Sequence, residues 1–304
     1  MKQFILGVFT VMATIFSQSV AAQTTIEWVH AHGAASAFSP VYASIVEQAN
    51  QSQKKYVIIN VFKPGGNGIV ATNYVEENPT VRVTSTSGAV ADGFASGRID
   101  ADKYRAVQGV GDVCWAASSI INLPDQKAKP VIASASSQGS LGHYMALGLA
   151  EVYKFDLTMA YFKSNTEGFM NMAAENGVQM AADRPRSIVD FSAKNSKIQM
   201  LGLHCPVRHP KYPSVKTFGE LGISLPPASM TVVSHVTMSP QTSQELGQIF
   251  ADAIRAVGND RLWDLGDLRS PVFAGIPPDV YHANHMKLLK AAQIKFAREL
   301  TKAN

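Results

Sequence analysis

Residues 56–75 carry the pattern that most restricts how this chain folds. The apolar run Tyr56-Val57-Ile58-Ile59-Asn60-Val61-Phe62 is followed by Lys63-Pro64-Gly65-Gly66-Asn67-Gly68 and then by apolar residues at 69, 70, 74 and 75. A β-rich run, a glycine turn and an apolar set at helical spacing predict strand, tight loop and helix. Glycines there let backbone N–H groups approach an anion at a helix N-terminus, where the helix dipole also favours negative charge. The P-loop pattern fails, because no Gly-Lys-Ser/Thr follows at the required distance, and the dinucleotide signature G-x-G-x-x-G is absent. A plain left-handed glycine turn between strand and helix would use the same residues.

The unit recurs along the chain. Residues 26–30 read as a first strand, 31–39 as a loop of small residues, and Pro40 opens a helix over 41–48. Residues 81–88 alternate as a strand ending in hydroxyls. Further on, strands over 129–133, 157–162, 178–183 and 198–203 alternate with helices over 141–153 and 168–175. The polar loop Ser134-Ala135-Ser136-Ser137-Gln138-Gly139-Ser140 precedes the first of those helices, which carries His143. Helices are also predicted over 241–257 and 278–301. Strands alternating with helices predict two α/β units, and in a parallel sheet the strand ends line one crevice where ligands bind.

The first 22 residues, with Lys2, an apolar run over 4–16 and the small residues before Gln23, read as a secretory signal peptide cut after Ala22. The expected location is the periplasm. Basic residues are scattered and the formal charge is only +4, which gives no support to nucleic-acid binding. Only two cysteines are present, Cys114 and Cys205, which excludes a disulfide-stapled scaffold. They can pair in an oxidising compartment, but buried free thiols are the expectation.

Four segments resemble one family. Pro64-Gly65-Gly66-Asn67-Gly68-Ile69-Val70-Ala71-Thr72-Asn73-Tyr74-Val75 is similar to the P-G-A-G-G-N-I-G-A-D-Y-V stretch of the periplasmic substrate-binding receptors of tripartite tricarboxylate transporters, the Bug family. Gly139-Ser140-Leu141-Gly142-His143 resembles their G-S-x-x-H, and Tyr161-Phe162-Lys163 their P-Y-K-G. The run from Arg208 to Gly222, with Pro213, Val215, Thr217 and Glu220, resembles R-x-x-x-x-P-x-V-P-T-x-x-E-x-G. There are departures: the family's first loop P-G-G-x-x-D is here Ala34-Ala35-Ser36-Ala37-Phe38-Ser39-Pro40, its Asn-Arg before P-G is Phe62-Lys63, and the Pro of V-P-T is Lys216.

The resemblance implies an α/β, two-domain type II periplasmic-binding ("Venus flytrap") architecture, with domain 1 discontinuous over 23–121 and 228–304 and domain 2 over 122–227. It implies a monomeric receptor that captures a small organic acid, a mono- or dicarboxylate, between the domains and delivers it to membrane transporter subunits. No cofactor and no metal are expected. A carboxylate removed from water needs fixed donors, and backbone N–H groups at helix starts and small hydroxyls suit that task. The candidate ligand contacts are Ser36, Ser39, Gly66, Asn67, Thr86, Ser87 and Gly88 from the first unit. From the second come Ser136, Gly139, Ser140, Tyr161 and Asn165, with Asp183 able to accept from a ligand donor; serines and asparagines at such places also serve as plain helix caps. No Lys or Arg lies inside the central loops, which points to neutral donors. His143 is expected to be neutral, steadying its loop by donating a ring N–H.

Two alternatives remain in the sequence. His30-Ala31-His32 places two imidazoles on one face of a strand, as in metal-dependent hydrolases with zinc and an activated water. A receptor that presents its ligand to a sensor kinase would need the same residues as one serving a transporter.

Overall fold

The structure, a computed structural model, describes residues 23–34, 36, 38–126, 129–205 and 207–297, without the side chains of Asn67 and Pro124. The signal peptide and the end of the helix expected over 278–301 lie outside the described residues.

From its start the chain runs β1 (Thr24–His30), α1 (Ser39–Ser52), β2 (Tyr56–Phe62), α2 (Ile69–Glu77), β3 (Arg82–Ser85) and α3 (Ala89–Ala95). It continues through β4 (Tyr104–Val113), β5 (Trp115–Ser119), β6 (Pro130–Ala135), α4 (Leu141–Tyr153), β7 (Asp156–Tyr161), α5 (Asn165–Ala173) and β8 (Met180–Asp183). The remainder is α6 (Pro185–Ser192), β9 (Gln199–His204), β10 (Ser229–His235), α7 (Pro240–Val257), α8 (Asn259–Gly266), β11 (Leu268–Arg269) and α9 (Pro278–Lys295).

These strands form two sheets. The first has the order β11-β4-β10-β3-β1-β2 and the second β7-β6-β8-β5-β9. In the first, β1 pairs in parallel with both β2 and β3. In the second, β6 pairs in parallel with β7 and β8. The parallel strands therefore end together at His30, Phe62 and Ser85 in one sheet and at Ala135, Tyr161 and Asp183 in the other. Strand β5, which a division at 121/122 would leave with the first unit, is bonded to β8 and β9 of the second sheet.

Both sheets are covered on both faces, because successive strand residues point to opposite sides. Ile26 and Trp28 of β1 join Ile45 of α1 and Phe250 of α7 in one core. Val29 of the same strand joins Val75 of α2 and Phe94 of α3 in another. In the second sheet Ala117 packs with Met145 and Leu149 of α4, while its neighbour Ala116 packs with Phe169 of α5 and Ile188 of α6. No helix among the described residues is long and apolar enough to cross a membrane.

The glycine turn forms as the sequence predicts: Gly66–Gly68 is one turn of 3₁₀ helix leading into α2. Gly68 has φ +91°, and a Cβ there would lie 3.0 Å from the Val90 backbone at the start of α3. The left-handed conformation and the close approach both call for glycine. Gly68→Val is expected to destabilise the fold by about 2 kcal/mol or more, combining backbone strain with overpacking. Urea titration checks this, and an unchanged midpoint would contradict it.

Cys114 and Cys205 are joined by a disulfide, their Cα atoms 4.6 Å apart. This corrects the expectation of free thiols. Both cysteines lie where the chain crosses between sheets: Cys114 separates β4 from β5, and Cys205 follows β9. Because β5 and β9 are paired with Trp115 opposite His204, the two thiols are brought together by strand register.

Candidate functional site

Two sets of contacts join the strand-end regions of the two sheets. On one side Phe38, next to α1, has the Arg184 guanidinium 5.8 Å from its ring centre, and Arg184 Nη1 donates to the Leu265 carbonyl at 3.2 Å. On the other side Ala91 of α3 and Tyr144 of α4 share an apolar cluster with Leu289 and Phe296. The first sheet thus offers the loops around 33–38, 63–68 and 86–88, and the second offers 136–140 and 183–184.

In the first loop Ser36 Oγ accepts from the Phe38 N–H and Ser39 Oγ donates to the Ala34 carbonyl at 2.7 Å. His32 Nε2 lies 3.1 Å from the Tyr42 hydroxyl. Tyr42, rooted in α1, therefore anchors the start of the first loop. His30 is fully buried: its Nε2 donates to Asn60 Oδ1 at 2.8 Å, its ring stacks on Tyr42 at 4.0 Å, and its Nδ1 has no partner. Burial pushes its pKa down to about 3, so the imidazole is neutral at ordinary pH. His30 and His32 do share a face, with ring centres 5.4 Å apart. No group of three potential metal ligands occurs among the described residues.

In the second loop Gly65, Gly66 and Gly68 all have positive φ, and Asn67 lies within the turn. The Lys63 ammonium rests on the Tyr74 ring, 4.0 Å from its centre. Past β3, Thr86 continues the sheet, since both its N–H and its hydroxyl donate to the Thr231 carbonyl. Ser87 is half-buried and Gly88 exposed, with φ +49°.

In the second unit Asn165 Oδ1 accepts from the Ser136 N–H at 3.0 Å, and the Ser140 hydroxyl donates to the Ser137 carbonyl. His143 Nδ1 accepts from the Gly139 N–H at 3.1 Å, so its proton sits on Nε2. The expected loop-steadying role is realised with the direction reversed: the ring accepts where it was expected to donate, because the positive φ of Gly139 turns its N–H inward. Burial lowers the His143 pKa to about 4. Tyr161, exposed at 42 %, has its hydroxyl 3.5 Å from the same nitrogen. Asp183 Oδ1 accepts from the Arg184 N–H, and burial raises its pKa.

The structure places the sequence-predicted residues in strand-end loops of the two sheets and assigns many of their groups to bonds within their own unit. The hydroxyl protons of Ser39, Thr86 and Ser140 are committed to backbone carbonyls, and Asn165 acts on the loop backbone. Residues that sequence reasoning missed are Tyr42, Asn60, Asp92, Tyr144 and Arg184. Only Arg184 carried a usable signal, directly following Asp183 at a strand end; the others sit inside helices or strands. A separate concavity of about 490 Å³ lies between β4, α7 and the start of α9, lined by Arg105, Gln248 and Arg255 among others. No strand-end loop residue lines it.

No family model matches the sequence, and no curated protein matches it. Solved structures do. A TctC solute-binding protein from Polaromonas is similar over 90 % of this chain and 99 % of its own, with TM-score 0.65 and 13 % identity. The periplasmic binding protein BugD is similar over 93 % and 98 %, with TM-score 0.69 and 12 % identity. MatC from Rhodopseudomonas palustris, solved with bound malate, is similar over 92 % and 99 %, with TM-score 0.62 and 16 % identity. The chain has the two-sheet α/β fold of these periplasmic binding proteins.

Proposed function

We propose that this protein is a periplasmic solute receptor that captures a small organic acid between its two units and passes it to a tripartite tricarboxylate-type membrane transporter. The observation that carries the reading is that each of two sheets ends its parallel strands in small polar loops, with Phe38 beside the first sheet against Arg184 at a strand end of the second. It is supported by a fold shared with MatC, solved with bound malate, and by the ordered sequence motifs at 64–75, 139–143 and 208–222. The disulfide fits an oxidising compartment. In this reading the first unit spans residues 23 to 113 and resumes near 229, and the second spans 115 to 204, with the two crossings stapled by Cys114–Cys205.

The acid would be held by backbone N–H groups of the glycine turn, by the 136–140 loop and by Arg184. The Nε of Arg184 is buried and has no hydrogen-bond partner among the described residues. A guanidinium there modifies the neutral-donor expectation, since charge-assisted bonds to a carboxylate are about twice as strong as neutral ones. The hydrolase reading needs a third ligand beside His30 and His32, and no group of three potential metal ligands occurs among the described residues.

Binding that stabilises only the folded state raises stability by RT ln(1 + [L]/Kd), about 2.7 kcal/mol at a hundredfold excess over Kd. A thermal-shift panel of mono- and dicarboxylates is therefore expected to contain acids that raise the melting temperature in a concentration-dependent way. A panel in which sugars, cationic amino acids or metal complexes shift the melt while no carboxylate does would refute the proposal.

A further inference from the structure

We propose that Asp92 and Tyr144 together read a hydroxyl group on the bound acid, so that the preferred ligand is a hydroxylated carboxylate; this rests on the receptor reading above. Asp92 lies one turn into α3, its N–H donating to the Gly88 carbonyl, and Tyr144 lies one turn into α4, its N–H donating to the Ser140 carbonyl. The two residues therefore stand directly behind the 86–88 and 136–140 loops, and the Asp92 charge is close enough to act on the Tyr144 hydroxyl. Their helices share one apolar cluster: Ala91, beside Asp92, belongs to the cluster that holds the Tyr144 ring and Leu289 of α9. A Cβ placed on Gly139 would lie 3.6 Å from the Tyr144 hydroxyl, which sets that hydroxyl at the ligand-side loop.

Neither polar group is satisfied within the protein. Asp92 is only 6 % exposed, and no hydrogen bond reaches its carboxylate among the described residues; Arg98 acts on it only through charge. The Tyr144 side chain is fully buried and its hydroxyl has no partner. Burial first, and then the nearby Asp92 charge, disfavour ionisation of that hydroxyl. Buried groups of this kind are costly when left unpaired. One is an O–H donor and the other a carboxyl, so a ligand atom that accepts from Tyr144 and donates to Asp92 satisfies both. An alcohol hydroxyl does this. An ammonium would leave the Tyr144 proton without an acceptor, and a methylene would leave both groups unpaired.

Calorimetry on the full mature chain with matched pairs tests the proposal: malate against succinate, lactate against propionate, 3-hydroxybutyrate against butyrate. In the pair that binds, the hydroxylated acid is expected to bind at least about tenfold tighter, because a site built to pair a hydroxyl rejects the analogue lacking it. Tyr144→Phe and Asp92→Asn should each bring the two members within about threefold of one another. The unliganded Tyr144→Phe protein should melt no lower than the parent, since the hydroxyl it loses has no internal partner. Equal binding of both members, or a preference that survives in both variants, overturns the proposal while leaving the receptor reading intact. If none of the acids binds, both fall together.

Discussion

Taking the solution from pH 7 to pH 5 should cost the unliganded protein at least about 3 kcal/mol of stability. Six histidines have pKa values depressed chiefly through burial, and the three held furthest down are His30 and His285 near 3 and His143 near 4, with His32, His204 and His282 shifted in the same direction. Their contribution is fully present above the unfolded value of 6.5 and is lost as the pH falls toward the folded values, because the unfolded chain takes up protons that the folded chain refuses. Each of His30, His143 and His285 loses about 2 kcal/mol between pH 7 and pH 5. Asp92 works in the opposite sense. Burial raises its pKa to about 8, so its folded form holds a proton that the unfolded form releases, and acidification favours it by about 3 kcal/mol over the same interval. The balance leaves a net loss. Urea titrations at the two pH values measure it directly, and His285→Leu should remove about 2 kcal/mol of the drop. Equal stability at pH 5 and pH 7 would show that these imidazoles are not buried neutral.

Breaking the Cys114–Cys205 disulfide should produce the largest loss from a single covalent change. The two cysteines are 91 residues apart in sequence. In the chain-entropy account, a loop of that size restrains the unfolded ensemble by about 4–5 kcal/mol. The double variant Cys114→Ala/Cys205→Ala should lose that amount relative to the oxidised parent. Addition of a thiol reductant should bring the parent down to the variant and leave the variant itself unchanged. The bond also joins the two chain crossings, with the Cys114 N–H held by the Asp267 carbonyl of the first unit. A loss below about 1 kcal/mol would mean that the paired strands β5 and β9 hold the crossing without it.

The elements with strong local periodicity were readable from the residues alone. Strand β2 over Tyr56–Phe62 and helix α4 over Leu141–Tyr153 have the bounds their patterns predict, because alternating or helically spaced apolar residues report which face is buried before any partner is known. The glycine turn at 65–68 was equally plain, since its backbone angles suit few other residues. Strands β4 and β5 were not readable. The sequence Tyr-Arg-Ala-Val-Gln-Gly-Val-Gly-Asp-Val is interrupted by glycines whose purpose is tertiary: a Cβ on Gly109 would run into Tyr281 and Pro271, and one on Gly111 would meet the Arg269 carbonyl at 2.7 Å. The Ala- and Ser-rich β5 lies among Ala181, Ala182 and the helices over them, where only small residues fit.

The sequence by itself determined the fold class, the repeated strand–loop–helix unit and the small polar loops at the strand ends, because all of these follow from local spacing and turn chemistry. Tertiary structure alone decided which of those loop groups remain available. Ser39, Thr86 and Ser140 spend their hydroxyl protons on nearby carbonyls, while the Tyr144 hydroxyl and Arg184 Nε, on residues that look like ordinary helix or loop residues in sequence, are left buried without partners. Satisfaction of a polar group is a property of its three-dimensional neighbours, and those neighbours come from segments distant in the chain. The same reason separates the disulfide from the free thiols that the sequence suggested: only the pairing of β5 with β9 places Cys114 against Cys205.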